Sequence, residues 1–312
     1  MKVVVVGKHE FAGKLSTEID GAIFIEIDER TFPDGEVCPR LLLDDGNIMQ
    51  DAHVIIAMQL ALDQSKNQYL ISFLLTIYNV KRLGAAKITC IMPYHIYSRQ
   101  DRESRLGEPV SSMYLASMLE SAGINQYLTI NSHSYGKNPL SDFFSESESI
   151  SLSAIPLVAQ KVKKLSNSSE DILCFSPDEG ALMLAKEAAD AINSQFYGAI
   201  RKKRDPDTGE ITQELVGIDI SLQNRHILIV DDLVSSGGTM IGAARIFKQQ
   251  GVKEVYLGYI HGVHTTEKFK KLAKEDIRLF VTTDSIKSDI PGLTTVSVVQ
   301  LIAEWINSKL SS

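Results

Sequence analysis

No stretch of this chain stays apolar for the roughly eighteen residues that a membrane-spanning helix needs. The first residues, MKVVVVGKHE, lack the long apolar core and the cleavage pattern of a secretory signal and predict a short strand instead. Cysteine is scarce. Cys38, Cys90 and Cys174 are odd in number and far apart, which excludes a disulfide framework and a cysteine-based metal site and suits a reducing cytoplasm. Positive charge is also short: 32 Lys and Arg stand against 39 Asp and Glu, a net charge of −7. That excludes a broad nucleic-acid-binding face, but leaves room for a local basic site for a small anion. Low-complexity tracts and short-period repeats are missing as well, so a solenoid is excluded.

What is present is a globular composition, with 44% hydrophobic and 23% charged residues over 312 positions. That length suffices for one large or two ordinary α/β domains. Short β-rich runs (KVVVV, HVIIAM, KITCIM and YLTI, then DILCFS, HILIV, EVYLGYI and IRLFVT) alternate with longer helical patterns. The helical patterns include NQYLISFLLTIYNVKRLGA, SSMYLASMLESAG, GALMLAKEAADAI and GTMIGAARIFKQQG, several ending at the glycine that commonly stops a helix. Such alternation predicts mostly parallel sheets flanked by helices. The Ser/Glu-rich SESESISLS near residues 145–153 reads as a link, after which the pattern restarts. The fold class is therefore α/β, in two similar domains spanning 1–145 and 146–312, the last helix packing back on the first of them.

The segment ILIVDDLVSSGGTM, residues 227–240, carries the clearest chemistry. Ligands of open parallel sheets bind at the carboxyl ends of the strands. Asp231 and Asp232 are expected at the end of HILIV, where carboxylates can accept hydrogen bonds from vicinal sugar hydroxyls or help hold a divalent cation. Ser235, Ser236, Gly237, Gly238 and Thr239 follow, offering hydroxyls, tight turns and successive N–H groups ahead of a helix, a cradle for an anion. The segment reads as a site for a sugar carrying a phosphate. An acidic helix cap beside a small-residue turn is the plainer alternative.

Other segments add weaker signals. RTFPDGEVCPRL places Phe32, Asp34 and Glu36 in a loop after a strand, where an aromatic ring could stack on a base and the acids accept from amino groups. IMPYHIYSRQDRESRLGEPVSS gathers Arg99, Gln100, Asp101, Arg102 and Arg105, whose guanidinium forks suit polyphosphate. His133 stands just beyond YLTI, and Asp178 follows DILCFS at a helix start. Arg201 to Arg204 are consecutive cations before a Gly/Pro-marked loop, the pattern of a flap that closes over phosphate charge or of a solvated hairpin tip. Two motifs are decoys. GKHEFAGKL has five residues between Gly7 and Gly13 where a P-loop has four, and Leu15 where it has Ser or Thr. HGVH spaces His261 and His264 like metal ligands but brings no third ligand.

Taken together, in this order, these motifs resemble the ribose-phosphate diphosphokinase family over nearly the whole chain. The resemblance implies two phosphoribosyltransferase-like domains, an amino-terminal one for ATP and a carboxyl-terminal one for ribose 5-phosphate. It implies that the β,γ-diphosphoryl group of MgATP passes to the 1-hydroxyl of ribose 5-phosphate, with Mg²⁺ as cofactor. Phe32, Asp34, Glu36, Arg99, Gln100, Asp101 and His133 would serve ATP. Asp178, Asp231, Asp232 and Ser235 to Thr239 would serve the sugar phosphate, His133 and Asp178 the metal, and Lys202 and Arg204 the transition state. It further implies a cytoplasmic homo-oligomer, a dimer or hexamer, with no nucleic-acid or membrane partner. Departures are visible: Ser-Ser-Gly-Gly-Thr replaces the common Asp-Thr-Ala-Gly-Thr, as in plant-type and archaeal-type branches, and Asn131 stands where the family has aspartate before the histidine. The rival readings are a non-catalytic partner subunit and a phosphoribosyltransferase.

Overall fold

The computed structural model describes residues 1–133, 140–204, 211–216 and 220–311, and at 202–204, 211–214 and 216 the backbone alone. The chain divides into two compact units. The first comprises Met1–Leu152, Ser285–Lys287 and Val298–Ser312; the second comprises Ser153–Asp284 and Ser288–Ser297.

In the first unit the strands are β1 (Val3–Gly7), β2 (Ile23–Thr31), β3 (Val37–Leu41), β4 (His53–Ala57), a two-residue β5 (Leu60–Ala61), β6 (Lys87–Ile91), β7 (Gln126–Ile130) and β8 (Glu148–Leu152). Seven of them form one sheet in the order β3-β2-β1-β4-β6-β7-β8. Only β2 and β3 run antiparallel. The apolar runs of β1 and β4 are buried at every position, as strands covered on both faces must be. The helices are α1 (Lys14–Thr17), which continues a π-helical turn at His9–Gly13, then α2 (Lys66–Arg82) and α3 (Ser111–Ala122). Gly123, at φ 103°, closes α3 in the left-handed conformation that glycine adopts without a Cβ penalty. Gly7, first of the P-loop-like glycines, has a structural reason: a Cβ there would lie 2.2 Å from the Ala57 carbonyl oxygen.

The second unit holds α4 (Ile155–Ser166), β9 (Ile172–Ser176), α5 (Leu182–Ile192), β10 (Tyr197–Arg204), β11 (Ile211–Val216), β12 (His226–Val234), α6 (Gly238–Gln249), β13 (Glu254–Gly262), α7 (Thr266–Leu272), β14 (Leu279–Thr283) and β16 (Thr294–Val296). Between the last two, β15 (Ile286–Lys287) leaves to pair with β5 in the first unit, and α8 (Val299–Leu310) also belongs to the first unit. The second sheet runs β11-β10-β9-β12-β13-β14-β16, again with one antiparallel pair at the β10–β11 edge. Numbered within its own unit and leaving aside β5 and β15, each sheet has the same strand order. The core of the second unit packs Phe175 of β9 against Phe247 of α6, both fully buried, with ring centroids 4.7 Å apart and planes tilted by 53°.

Three sequence expectations change. The SESESISLS segment does hold the boundary between the units, at Leu152/Ser153, but as a strand rather than a loop: its second half is β8, the edge strand of the first sheet, paired in register with β7. Its hydroxyl and carboxyl groups masked a strand that needs only one buried face. The acid pair lies inside β12 rather than beyond it, because Asp231 still pairs with Tyr259 and Leu233 with His261. The cations Arg201 to Arg204 lie in β10 rather than in a loop, and the segment that follows, 205–210, is outside the described residues.

Far from the carboxyl ends of the strands, a polar relay crosses four neighbours of the first sheet. Thr89 donates its hydroxyl hydrogen to Gln126 Oε1 at 2.8 Å, so the 2.7 Å contact of His53 Nε2 with Thr89 makes the imidazole the donor. Gln126 Nε2 then donates to Glu148 at 2.7 Å, and Lys309 of α8 pairs with the same carboxylate. His53 Nδ1 is left bare and buried. A second proton there would find no acceptor, and burial, aided by the Lys87 charge, pushes the imidazole down to about 4. Unfolded histidine binds its proton near pH 6.5, so this stabilisation is complete above that value and is lost as pH falls toward 4. The linked free energy is on the order of 3 kcal/mol. His53→Gln keeps a donor to Thr89 but cannot titrate. In urea unfolding measured across that window, the substituted protein should show a clearly flatter loss of stability with falling pH than the parent.

Candidate active site

The second unit contributes the acid cluster. β12 carries Asp231, half-buried, and Asp232, which is 8% exposed, next to each other, and the Asp232 N–H donates to Asp231 Oδ1 at 2.9 Å. Burial first, then the Asp232 charge and hydrogen bond and the Asp178 charge, hold the Asp231 carboxyl well above the usual carboxylate range. The strand therefore carries a cluster of carboxylates close to its carboxyl end. Asp178, expected at a helix start, caps the 3₁₀ turn Glu179–Ala181 by accepting from the Gly180 N–H at 2.9 Å. All three carboxylates follow or close parallel strands, where an open sheet binds ligands.

Beyond β12 the chain turns through Ser235 and Ser236 to Gly237, at φ 77°, and enters α6. Gly238 and Thr239 are the first residues of that helix rather than loop residues. Ser236 Oγ accepts from the Gly238 N–H at 3.4 Å, a turn that points the chain into the helix. A Cβ at Gly237 would lie 3.6 Å or more from Leu272 and so has room; glycine is required by the backbone angle. The start of this twelve-residue helix, with its unpaired N–H groups and positive dipole end, suits a phosphate. Arg201 pairs with Glu179 at 2.7 Å. This ion pair at the rim of the acid cluster has no motif to reveal it, because its members are distant in sequence. Lys202 and Arg204 lie outside the residues whose side chains the structure describes.

The first unit holds the other candidates. The β2–β3 hairpin is closed by the Phe32 N–H donating to the Glu36 carbonyl at 2.8 Å and by Gly35 at φ 93°. Asp34 turns inward on this loop, its Oδ1 accepting from the Glu36 N–H at 3.1 Å. Phe32, 47% exposed, is left with its ring face available for stacking. After β6, Tyr97 takes the left-handed conformation at φ 60°, its hydroxyl bonding Asn67 of α2. That bend presents Arg99, exposed, beside half-buried Gln100 and Asp101. Gln100 braces its own loop, donating to the Arg102 carbonyl at 3.1 Å. Among the described residues the guanidinium groups of Arg99, Arg102 and Arg105 form no ion pair, so they remain available to an anion.

His133 is exposed, two residues past buried Asn131. Asn131 sits at φ 34°, a conformation asparagine tolerates better than most residues. The Asn131 N–H donates to the Leu152 carbonyl at 2.9 Å, and the Ser132 N–H to Ser151 Oγ at 2.9 Å. The turn bearing His133 is thus clamped by β8 and its neighbour, the segment that read as a link. His261 and His264 are buried, and Tyr259 bonds His264 Nε2 at 2.7 Å. No group of three or more metal-ligating side chains occurs among the described residues.

Comparison with known proteins agrees with this layout. A family model described as the N-terminal domain of ribose phosphate pyrophosphokinase matches residues 1–123, and one described as a phosphoribosyl transferase domain matches residues 150–288. A ribose-phosphate pyrophosphokinase of Methanothermobacter thermautotrophicus is 31% identical over 278 residues, covering 89% of this chain and 90% of the relative. One from Saccharolobus solfataricus is 30% identical over 279 residues, covering 89% and 91%. The crystal structure of phosphoribosylpyrophosphate synthetase from Mycobacterium smegmatis shares the fold, with a TM-score of 0.85 at 24% identity, covering 100% of this chain and 99% of that one.

The strained acid cluster generates a prediction about the unliganded protein. A carboxyl whose folded pKa is raised destabilises the fold while ionised, and the penalty disappears as pH falls through that pKa. Asp231→Asn should therefore raise stability by roughly 1 kcal/mol at neutral pH, and by progressively less in acid. Thermal unfolding of the second unit at several pH values checks both the sign and the trend.

Proposed function

Because the chain belongs to the ribose-phosphate pyrophosphokinase family, we propose that it transfers the diphosphoryl group of ATP to the 1-hydroxyl of ribose 5-phosphate. The products are 5-phospho-α-D-ribose 1-diphosphate and AMP. The observation that carries the reading is the pairing, on one β12–α6 crossover, of two buried or half-buried carboxylates with a helix start suited to phosphate. In the second unit, Asp231 and Asp232 accept from the ribose hydroxyls, while Ser235, Ser236, Gly237, Gly238 and Thr239 hold the 5-phosphate. In the first unit, Phe32 stacks on adenine, Asp34 and Glu36 accept from its polar edge, and Arg99, Gln100 and Asp101 line the polyphosphate with His133.

The bond that forms joins the ribose O1 to the β-phosphorus, and the bond that breaks joins that phosphorus to the oxygen retained by AMP. Such a transfer asks a protein for alignment and charge neutralisation more than for covalent chemistry. Lys202 and Arg204 supply cations to the charge that develops on the transferred group. The donor set also fits Mg²⁺. That ion uses one or two carboxylates with substrate oxygens and water rather than an all-protein cage. Here the described residues contain no preformed metal cluster, and the charges of Asp232 and Asp178 both bear on Asp231. Asp178 and His133 are the residues that would hold it, and its charge would neutralise phosphate oxygens when bound.

No helix among the described residues is long and apolar enough to cross a membrane, and the three free cysteines suit a reducing compartment, so we place the protein in the cytoplasm. We further infer a homo-oligomer. Phosphorus NMR of the protein with ATP, Mg²⁺ and ribose 5-phosphate should show AMP and a sugar 1-diphosphate growing together; ATP left intact by folded protein would favour a non-catalytic partner subunit. Lys202→Ala should lower kcat by roughly a hundredfold or more, with KM for ribose 5-phosphate little changed, because its cation acts on charge that develops in the transition state.

A further inference from the structure

Six residues other than glycine hold a positive φ among the described residues. Five of them, Asp51, Asn131, Asn167, Asn193 and Asn224, are types that tolerate the left-handed region. The sixth is Tyr97, at φ 60°. A bulky side chain there crowds its own backbone, and the conformation persists only where neighbouring contacts outweigh its cost. Tyr97 lies in the segment between β6 and α3, two residues before Arg99. The strain therefore sits at the entrance to the turn that carries the first guanidinium.

The segment is anchored on both sides of Tyr97. Buried His95 has both ring nitrogens engaged: Nδ1 lies 2.6 Å from the Tyr127 hydroxyl of β7, and Nε2 lies 3.0 Å from the Ser112 hydroxyl of α3. The Ser112 N–H donates to the Gln100 carbonyl at 3.2 Å, and the Gln100 N–H closes the turn by donating to the Tyr97 carbonyl at 3.1 Å. The Tyr97 side chain itself, 38% exposed, is held from another element: its hydroxyl donates to Asn67 Oδ1 in the first turn of α2. That turn is a firm support. Ser65 caps it, accepting from the Gln68 N–H at 3.5 Å, and fully buried Tyr69 donates its hydroxyl hydrogen to the Met58 carbonyl at 2.6 Å. A fixed helix start thus bonds the side chain whose backbone is strained.

We propose that Asn67 is a positioning residue: by holding Tyr97 in the left-handed region it presets Arg99 for the phosphate oxygens of the nucleotide. The assignment rests on the reading of Arg99 as part of the ATP site. Without the bond the segment relaxes toward negative φ, and affinity falls with the fraction of molecules that keep the turn. The test is calorimetric titration of the full chain with inorganic tripolyphosphate, beside kinetics with ATP, for Asn67→Ala, Tyr97→Phe and the double variant. Each single variant should bind tripolyphosphate roughly fivefold more weakly and raise KM for ATP by a similar factor, with KM for ribose 5-phosphate unchanged. The double variant should lose no more than either single one, because both remove the same bond. Asn67 is exposed, so circular dichroism of Asn67→Ala should match the parent. Gln68→Ala, one residue along the same turn, should keep the parent's affinity for tripolyphosphate. Losses that add in the double variant, or a Gln68→Ala protein as weak as Asn67→Ala, would overturn the assignment, as would a parent that binds no tripolyphosphate. Steady AMP formation with a tripolyphosphate affinity that Asn67→Ala leaves unchanged would sink the positioning role and spare the proposed reaction. An affinity that falls as expected in a protein that makes no AMP would do the reverse.

Discussion

A parallel strand can be followed by another parallel strand only after the chain has crossed back, and every crossover leaves from the same edge of the sheet. That constraint gathers the chemistry of both units. In the second unit it collects Asp178 after β9 and the acid pair with its glycine turn at the end of β12. In the first it collects Arg99 after β6 and His133 after β7. The residues are far apart in sequence, and the sheet's polarity alone makes them neighbours of one edge. The opposite ends hold structural polar groups, of which the His53–Thr89–Gln126–Glu148 relay is the clearest.

The two units share a strand order but not its use. In the second, β12 carries two carboxylates two residues before its end and is followed by a turn into a helix start. At the same place in the first, β4 ends at Ala57, and the following residues form β5, which pairs with Ile286 and Lys287. The cradle position is therefore taken up by backbone pairing in one unit and open in the other. The edge hairpins differ in the same way. One carries an aromatic ring and two acids between β2 and β3, the other a run of cations that closes β10. One architecture thus presents different side chains at corresponding places in its two copies.

The acid cluster also shows where stability yields to function. Burial and the neighbouring like charge of Asp232 raise the proton affinity of Asp231. Arg201 is engaged by Glu179 at the rim.

Much of this could be read from the residues in order. Runs such as HVIIA and HILIV, buried on both faces, carry their own strand signal, and the glycine-terminated helix patterns carry theirs. The strand–turn–helix unit carrying the acid pair was legible because acids, hydroxyls, glycines and helix are contiguous, so local chemistry suffices. Strand β8 was not, since a half-exposed edge strand of Ser and Glu has no apolar period until a neighbour pairs with it. Nor was the Glu179–Arg201 pair, the clamping of the His133 turn by β8, or the return of Ile286–Lys287 to β5. By itself the sequence determined most of the strands and helices and the acid, hydroxyl and glycine run between β12 and α6, because those depend on neighbours along the chain. Only the tertiary structure decided which of those segments meet, because sheet order and hydrogen-bond register are settled by packing between residues that the chain keeps far apart.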